Sequence, residues 1–284
     1  MTSPWMVDIH THLFPDWMER DRWKYAEKDR VFKEIYGNEK ARMVSKDEMI
    51  QAMDKEGVAV SVVFGFPWED QGINREHNDY ILEAASHHPD RLVPFACLNP
   101  LAPNAVDEVL RCVDRGAKGV GEMAFYDRAI DDEVMEHLRP LMEILKEAGL
   151  PLLIHTNEPV GHRYPGKSMK NLTEIELLVR NFPENIIILA HWGGGILFFE
   201  LMKEIKALFQ NVYYDTAASP FLYQPKIFSV AGELVGFDRI LLGTDYPLIP
   251  PTRYLKQISE VIKDEEKVHA ICRDNARRLL RLSS

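Results

Sequence analysis

Cysteine is scarce in this sequence of 284 residues, and the 3 residues present, Cys97, Cys112 and Cys272, form no CxxC motif. They cannot all pair with one another, which is typical of buried thiols in a reducing compartment. No apolar run approaches the ~20 residues that span a bilayer, and the first residues lack the basic flank and apolar core of a signal peptide. These absences predict a cytoplasmic protein with no membrane partner.

Positive charge is also in deficit. The chain has 34 Lys+Arg against 44 Asp+Glu, which gives a formal net charge of −10. No block of basic residues interrupts this excess, and a negative field repels a phosphate backbone, so nucleic acid is excluded as a partner. Hydrophobic residues at 46% and charged residues at 27% are ordinary for a globular chain and exclude intrinsic disorder.

Short apolar runs alternate with longer amphipathic segments along the whole chain. This alternation indicates parallel strands joined by helical crossovers. The eight predicted strands are Met6–His10, Val58–Gly65, Leu92–Leu98, Ala117–Glu122, Pro151–His155, Ile186–His191, Val212–Asp215 and Ile240–Asp245. We predict an α/β chain with one domain over 1–284, a (β/α)8 TIM barrel; an open doubly wound sheet is the alternative.

Two segments exceed the minimal repeat of one strand and one helix. An aromatic and charged insertion at about 13–44 follows the first strand and is expected over the carboxyl-terminal mouth of the barrel. An extra helix at about 265–282 carries apolar residues on one side and is expected to pack on the outside of the barrel.

Histidines and carboxylates recur at the ends of the predicted strands. His10 and His12 are one residue apart, so their side chains leave the first strand on the same face. Other predicted strands end in further metal-ligand types, namely Glu122, His155, His191 and Asp245. A single histidine at a strand end is more often a buried core residue, but strand ends of a barrel converge at one rim. The whole set therefore predicts a metal site there.

Five short motifs make the chain resemble a known family. They are VDIHTH at 7–12, LIH at 153–155, LAHWGG at 189–194, LGTDYP at 242–247 and NARRLL at 275–280. In this order they resemble the amidohydrolase superfamily, and within it the amidohydrolase-related TIM-barrel hydrolases and decarboxylases related to aminocarboxymuconate semialdehyde decarboxylase.

The resemblance implies roles for the strand-end residues. It implies that His10, His12, His155 and Asp245 bind a divalent metal, and that Asp245 shuttles the proton of a metal-bound water. It implies that His191 contacts substrate or a second ion. Zn²⁺ is the first expectation for the metal, and Mn²⁺ and Fe²⁺ accept the same ligands.

The resemblance leaves the role of Glu122 open. Relatives with two metals carry a bridging carboxylated lysine or glutamate on the fourth strand, whereas decarboxylase-like relatives use one ion and no bridge. Glu122 either bridges two ions, with His155 and His191 on the second, or only orients a ligand or a water. Asp215, at the end of the seventh strand, is a candidate to support the ligands.

Four residues near the mouth are candidates for binding substrate: Trp68, His162, Arg163 and Trp192. Each has a structural alternative, because aromatic residues also pack between loops and Arg163 also suits solvent. The glycines after Trp192 precede a predicted helix, so backbone N–H groups there are candidates to hold a carboxylate or merely turn the chain.

The sequence favours a metal-dependent hydrolase that acts on a small amide, lactone or ester carrying a carboxylate. The leading alternative is non-oxidative decarboxylation of an aromatic or unsaturated acid on the same ligands, and a remote one is a non-catalytic binding protein. A small molecule is the expected partner. The aromatic insertion is equally compatible with a monomer and with a homo-oligomer.

Overall fold

Eight parallel strands form the centre of the molecule in a computed structural model, which describes residues 5–168 and 171–282. The strands are β1 (Met6–His12), β2 (Val58–Phe64), β3 (Leu92–Pro94), β4 (Val120–Met123), β5 (Leu152–Ile154), β6 (Ile187–Leu189), β7 (Val212–Asp215) and β8 (Ile240–Leu241). Strands that are consecutive in the chain pair in parallel, in the runs β1–β3 and β4–β8. Bridges Thr11–Tyr246 and Ala96–Val120 join the two runs at both edges. The sheet is therefore closed, and the predicted TIM barrel is confirmed.

Helices connect the strands and surround the barrel. They are α1 (Asp16–Arg20), α2 (Arg22–Ala26), α3 (Arg30–Tyr36), α4 (Lys46–Glu56), α5 (Gln71–His87), α6 (Ala105–Asp114), α7 (Asp132–Ala148), α8 (Leu172–Asn181), α9 (Lys203–Leu208), α10 (Ser219–Leu222), α11 (Ile227–Val235), α12 (Pro251–Val261), α13 (Glu265–His269) and α14 (Asn275–Leu280). Segments His191–Leu201 and Phe237–Arg239 are 3₁₀-like, and a π turn at Ala270–Asp274 joins α13 to α14. No helix within the described ranges is long and apolar enough to cross a membrane.

A β-bulge in β1 aims two histidines into the barrel. Asp8 pairs with Ser61 and Thr11 pairs with Val63, so β1 has one extra residue in this stretch. Val7 and Ile9 face the barrel interior, and the bulge lets His10 face it as well. The Thr11 hydroxyl bonds to the carbonyl of Val62 in the neighbouring strand.

The insertion after β1 forms a small aromatic core of its own. Helices α1 to α3 pack Phe14, Met18, Tyr25, Phe32 and Tyr36 against Phe66, Trp68 and Ile73. Phe66 and Trp68 lie in the loop that follows β2. The insertion is thereby attached to the carboxyl-terminal end of the barrel, where the strand-end side chains lie.

The C-terminal helical segment differs from the expected position. Its residues Leu279, Leu280 and Leu282 pack against the apolar cluster of the barrel interior. The Asn275 side-chain amide donates to the carbonyl of Ile240, which begins β8. The segment lies across the amino-terminal end of the barrel and not on its flank, because the interior side chains at that end offer apolar surface that would otherwise meet water.

His77 on α5 gives a prediction for the pH dependence of the fold. Its Nε2 donates to the Leu13 carbonyl at 2.8 Å, and its Nδ1 accepts from the Trp68 indole at 3.0 Å. Burial lowers the pKa of His77 to about 4. Since the pKa is lower in the folded chain, the stabilisation is complete above the unfolded pKa and is lost as the pH falls from about 6.5 towards 4.

We expect the His77 ring signals in an NMR titration to remain those of a neutral imidazole until the pH approaches 4. The exposed His137 serves as the reference in the same titration. A His77 midpoint close to the ordinary value of 6.5 would contradict the structure.

Candidate metal centre

Glu122, at the carboxyl end of β4, lies at the centre of a cluster of four imidazoles. Its carboxylate oxygens are 3.7 Å from Nε2 of His10 and 3.7 Å from Nε2 of His12. It lies 3.5 Å from Nε2 of His191, and it accepts a hydrogen bond from Nδ1 of His155 at 2.9 Å. A carboxylate that contacts four imidazoles is placed as a ligand or a bridge.

Asp245, after β8, closes the cluster from the opposite side. Its Oδ1 is 3.6 Å from Nε2 of His10 and 3.2 Å from Nε2 of His12. Three overlapping groups of side chains offer ligand atoms within 4.8 Å of one another: His10–His12–Glu122, His10–His191–Asp245 and Glu122–His155–His191. The structure thus brings together all six residues that the sequence predicts as metal ligands.

Hydrogen bonds on the far side of the rings orient two of the histidines. His10 Nδ1 donates to Oδ2 of Asp215 at 2.7 Å, and His191 Nδ1 donates to the carbonyl of Ala217 at 3.2 Å. With Nδ1 protonated in each neutral ring, the Nε2 lone pair faces the cluster as a ligand does. Asp215 is therefore the supporting residue that its strand-end position indicated.

The cluster carries an excess of negative charge. Burial lowers the pKa of His10, but the carboxylates of Glu122, Asp215 and Asp245 outweigh burial and raise it to about 10. Although burial opposes this, the histidines hold the pKa values of Glu122 and Asp245 below their ordinary range. The carboxylates therefore favour positive charge in the cluster, carried either by a proton on His10 or, in place of that proton, by a metal ion.

Strained backbone holds two of these side chains in place. His191 and Trp192 have φ of 55° and 61°, and Asp245 has φ of 60°. Left-handed conformations of residues other than glycine cost of order 1–3 kcal/mol each and persist only where the surroundings enforce them. The His191 N–H donates to Oδ1 of Asp215 at 2.8 Å, and the Asp245 N–H donates to the His10 carbonyl at 2.9 Å.

The residues present fit a divalent metal. Nε2 of His10 and Nε2 of His155 are buried and have no hydrogen-bond partner among the described residues. An orphaned imidazole nitrogen beside carboxylates is the arrangement that a metal ion satisfies. Nitrogen and oxygen donors without a thiolate suit Zn²⁺, Mn²⁺ and Fe²⁺.

A cavity of about 550 Å³ opens above the cluster. Its floor contains His12, Glu122, His155, His191 and Asp245. Its walls are mostly apolar and aromatic and include Ile35, Tyr36, Phe66, Tyr126, Tyr164, Phe221, Leu222 and Leu248. A concave, largely apolar site with a few convergent polar groups is typical of a small-molecule site.

The predicted substrate-binding residues are divided by the structure. His162 lines the cavity, whereas Trp68, Arg163 and Trp192 are absent from its walls. Trp68 packs against Phe32 with ring centroids 4.4 Å apart, and Arg163 is exposed to solvent. Trp192 is fully buried and donates its indole N–H to another side chain. These three residues therefore lie outside the lining of this cavity: the two tryptophans are packed in the interior and Arg163 faces water.

The sequence analysis missed several cavity residues. Tyr36 and Arg42 lie in the insertion, and no sequence pattern indicates which of its side chains turn towards the mouth. Tyr126 follows the end of β4 by three positions. Its place after a ligand-bearing strand was a signal that could have found it.

The fold and the cluster define a class of proteins: closed (β/α)8 barrels with histidines and carboxylates gathered at the carboxyl-terminal rim. The chain belongs to the amidohydrolase family, whose profile matches residues 7–282. It is therefore an enzyme of this family, and the resemblance seen in the sequence is confirmed.

Solved structures resemble this fold over nearly its whole length. The 5-carboxyvanillate decarboxylase from Sphingomonas paucimobilis matches with a TM-score of 0.77 and 17% identity, and the match covers 99% of this chain and 100% of the other. The 5-carboxyvanillate decarboxylase from Novosphingobium aromaticivorans, complexed with manganese and 4-hydroxy-3-methoxy-5-nitrobenzoic acid, matches with a TM-score of 0.75 and 16% identity, over 98% of this chain and 96% of the other. The 2,6-dihydroxybenzoate decarboxylase from Rhizobium matches with a TM-score of 0.72 and 20% identity, over 100% of both chains.

Proposed function

We propose that this enzyme is a metal-dependent decarboxylase of a hydroxylated aromatic carboxylic acid. The observation that carries the proposal is the aromatic-walled cavity, whose floor is the histidine–carboxylate cluster. The similarity to decarboxylases of hydroxylated benzoates supports it. Hydrolysis, which the sequence favoured, becomes the second candidate.

The cluster is suited to hold an ion at the floor of the cavity. We assign the ligands to His10, His12, His155, His191 and Asp245, with Glu122 shared between ligand groups. A bound divalent ion would supply Lewis-acid chemistry towards the oxygen substituents of the substrate. Mn²⁺, which a solved relative contains, and Zn²⁺ are the first ions to test.

Asp245 is our choice for the residue that exchanges a proton with substrate. Decarboxylation replaces the bond from the ring carbon to the carboxylate by a C–H bond, so one proton must reach that carbon. The ionised Asp245 carboxylate first accepts this proton, from a ring hydroxyl of the substrate or from solvent, and then delivers it to the carbon as CO₂ leaves. The Asp245 side chain is 18% exposed at the floor, whereas Glu122 is 6% and Asp215 0% exposed. Asp245 is thus the carboxylate that a cavity-bound ring can approach.

The cavity walls are suited to an aromatic ring. Phe66 and Tyr126 lie nearly parallel, with an angle of 10° between their rings. Planar apolar walls favour a flat ring and exclude water from the floor, which strengthens the electrostatic interactions there. Arg42, whose guanidinium lies over the Tyr246 ring at 5.6 Å, and Lys40 line the cavity, and their positive charge suits an anionic substrate.

Hydrolysis is kept as the second candidate because of Glu122. Glu122 is the residue that the groups His10–His12–Glu122 and Glu122–His155–His191 share. A shared carboxylate suits a site with two ions, and two-ion sites stabilise both the attacking and the leaving oxygen of a displacement.

Turnover in heavy-oxygen water distinguishes the two reactions. Manganese-loaded protein is screened against 2,6-dihydroxybenzoate, 5-carboxyvanillate, lactones and amides, with metal-free protein as the control. We expect CO₂ release from an aromatic acid and a solvent hydrogen on the vacated ring carbon, with no heavy oxygen in the organic product. Oxygen label in a new carboxylate or hydroxyl, without CO₂ release, would replace the proposal by hydrolysis.

A further inference from the structure

Two tyrosines from distant parts of the chain line the cavity above the cluster. Tyr36 ends α3 in the insertion, and Tyr126 lies in the loop after β4. Both line the same cavity as Glu122 and Asp245. The Tyr126 ring also lies 5.3 Å from the imidazole of His155.

Neither hydroxyl is engaged by the protein. Within residues 5–168 and 171–282, no group forms a hydrogen bond with the hydroxyl of Tyr36 or Tyr126, although the Tyr36 side chain is buried. The third tyrosine of the cavity, Tyr164, differs, because its hydroxyl donates to Glu158 at 3.1 Å. Neither hydroxyl is among the buried polar atoms that lack a partner, and both residues line the cavity, so both hydroxyls are open to a ligand there.

Both phenols act as neutral donors. The ordinary pKa of a tyrosine hydroxyl is about 10, so both hydroxyls keep their protons at neutral pH. A neutral O–H group beside Glu122 and Asp245 can hold an anionic oxygen that these carboxylates would otherwise repel.

Ring packing fixes both hydroxyls in position. The Tyr36 ring contacts Phe14 and Phe32, with centroid distances of 4.8 Å and 5.1 Å. The Tyr126 ring lies against Phe66 on one side and the His155 imidazole on the other, at 6.4 Å and 5.3 Å. Donors on packed rings are preorganised, so they lose little conformational freedom when substrate binds.

We infer that Tyr36 and Tyr126 are positioning residues that donate hydrogen bonds to the carboxylate of an arenecarboxylate substrate and hold it over the cluster. The inference deepens the proposed function and rests on it for the identity of the substrate class. It adds two residues, from the insertion and from the β4 loop, that orient the group to be removed.

Binding of benzoate to the manganese-loaded protein tests this inference without turnover. We expect Tyr36→Phe and Tyr126→Phe each to weaken benzoate binding by about tenfold in calorimetry, because each loses one donor to a charged oxygen. Both changes keep the aromatic ring, so metal content should not change. Tyr213→Phe is the matched control: it makes the same chemical change on β7, at a tyrosine outside the lining of the cavity, and it should bind benzoate like the wild type.

Kinetics give a second readout. As the carboxylate leaves, its charge moves to the ring, so donors to the carboxylate stabilise the bound substrate at least as well as the transition state. We expect KM to rise about tenfold in each variant and kcat to change by less than about threefold. A fall in kcat with unchanged KM would contradict a role in carboxylate binding.

Several outcomes overturn the inference. The first is an affinity for benzoate in both variants that equals that of the wild type. The second is weakened binding of phenol with normal binding of benzoate, because this result would assign the donors to a ring hydroxyl of the substrate. If the variants do not fold, the wild type is titrated with cyclohexanecarboxylate. A change in the tyrosine ultraviolet band that persists in Tyr213→Phe supports the inference, and no change refutes it.

The same data separate this inference from the proposed function. If the two variants weaken benzoate binding but no aromatic acid releases CO₂, the role of the tyrosine pair is supported and the decarboxylase proposal is refuted. If CO₂ is released but the variants bind benzoate like the wild type, the decarboxylase proposal is supported and the role of the tyrosine pair is refuted.

Discussion

Asp245→Asn removes nearly all turnover. We expect kcat to fall by about 10²–10⁴-fold, the usual contribution of a general acid–base residue, because an amide cannot carry the proton. The fold should persist, since the Asp245 N–H bond to the His10 carbonyl is a backbone contact that the change leaves in place. Initial rates, metal content and thermal unfolding are measured together.

Asp90→Asn is the matched control for this change. It makes the same chemical substitution on an exposed residue far from the cluster, and it should leave turnover as in the wild type. An Asp245→Asn protein with normal metal content and normal turnover would remove Asp245 from the mechanism.

Glu122→Gln tests whether Glu122 bridges two ions. Glu122 contacts imidazoles of both possible ligand groups. If Glu122 bridges two ions, the wild type binds two per chain and the variant binds one, because an amide is neutral and a poor bridge. Titration of metal-free protein with Mn²⁺, followed by calorimetry and elemental analysis, measures both numbers.

His162→Ala is the control for the metal titration. His162 lines the cavity but belongs to none of the ligand groups of the described residues, so its loss should not change the number of ions. One ion per chain in both the wild type and Glu122→Gln would reduce Glu122 to a residue that orients ligands. It would also remove the observation that keeps hydrolysis as a candidate.

The sequence was sufficient for the barrel and for the clustering of the residues that it predicts as metal ligands. These residues lie at strand ends by local order alone, as His10 and His12 do on β1 and His155 does after β5. Closure of the barrel then brings strand ends together irrespective of their distance along the chain. The ligand cluster therefore follows from strand order and residue type.

The substrate side could not be derived in this way. Trp68 and Trp192 were reasonable candidates because both follow strands, yet one packs beneath the insertion and the other is buried beside α10. The orientation of a loop side chain depends on contacts with other loops. Contacts between loops leave no periodic pattern of residues in the sequence, in contrast to strands and helices.

The sequence by itself determined a (β/α)8 barrel whose rim carries residues of metal-ligand type. The strand pattern and the positions of these residues are local properties of the sequence, and closure of the barrel brings the strand ends together. Only the tertiary structure decided that Tyr36 of the insertion lines the same cavity as Asp245, more than 200 positions away. The same packing freed the hydroxyls of Tyr36 and Tyr126 for substrate and tied that of Tyr164 to Glu158. Such contacts arise when separately formed segments pack together, and their free energy depends on shape and burial that exist only in the folded chain.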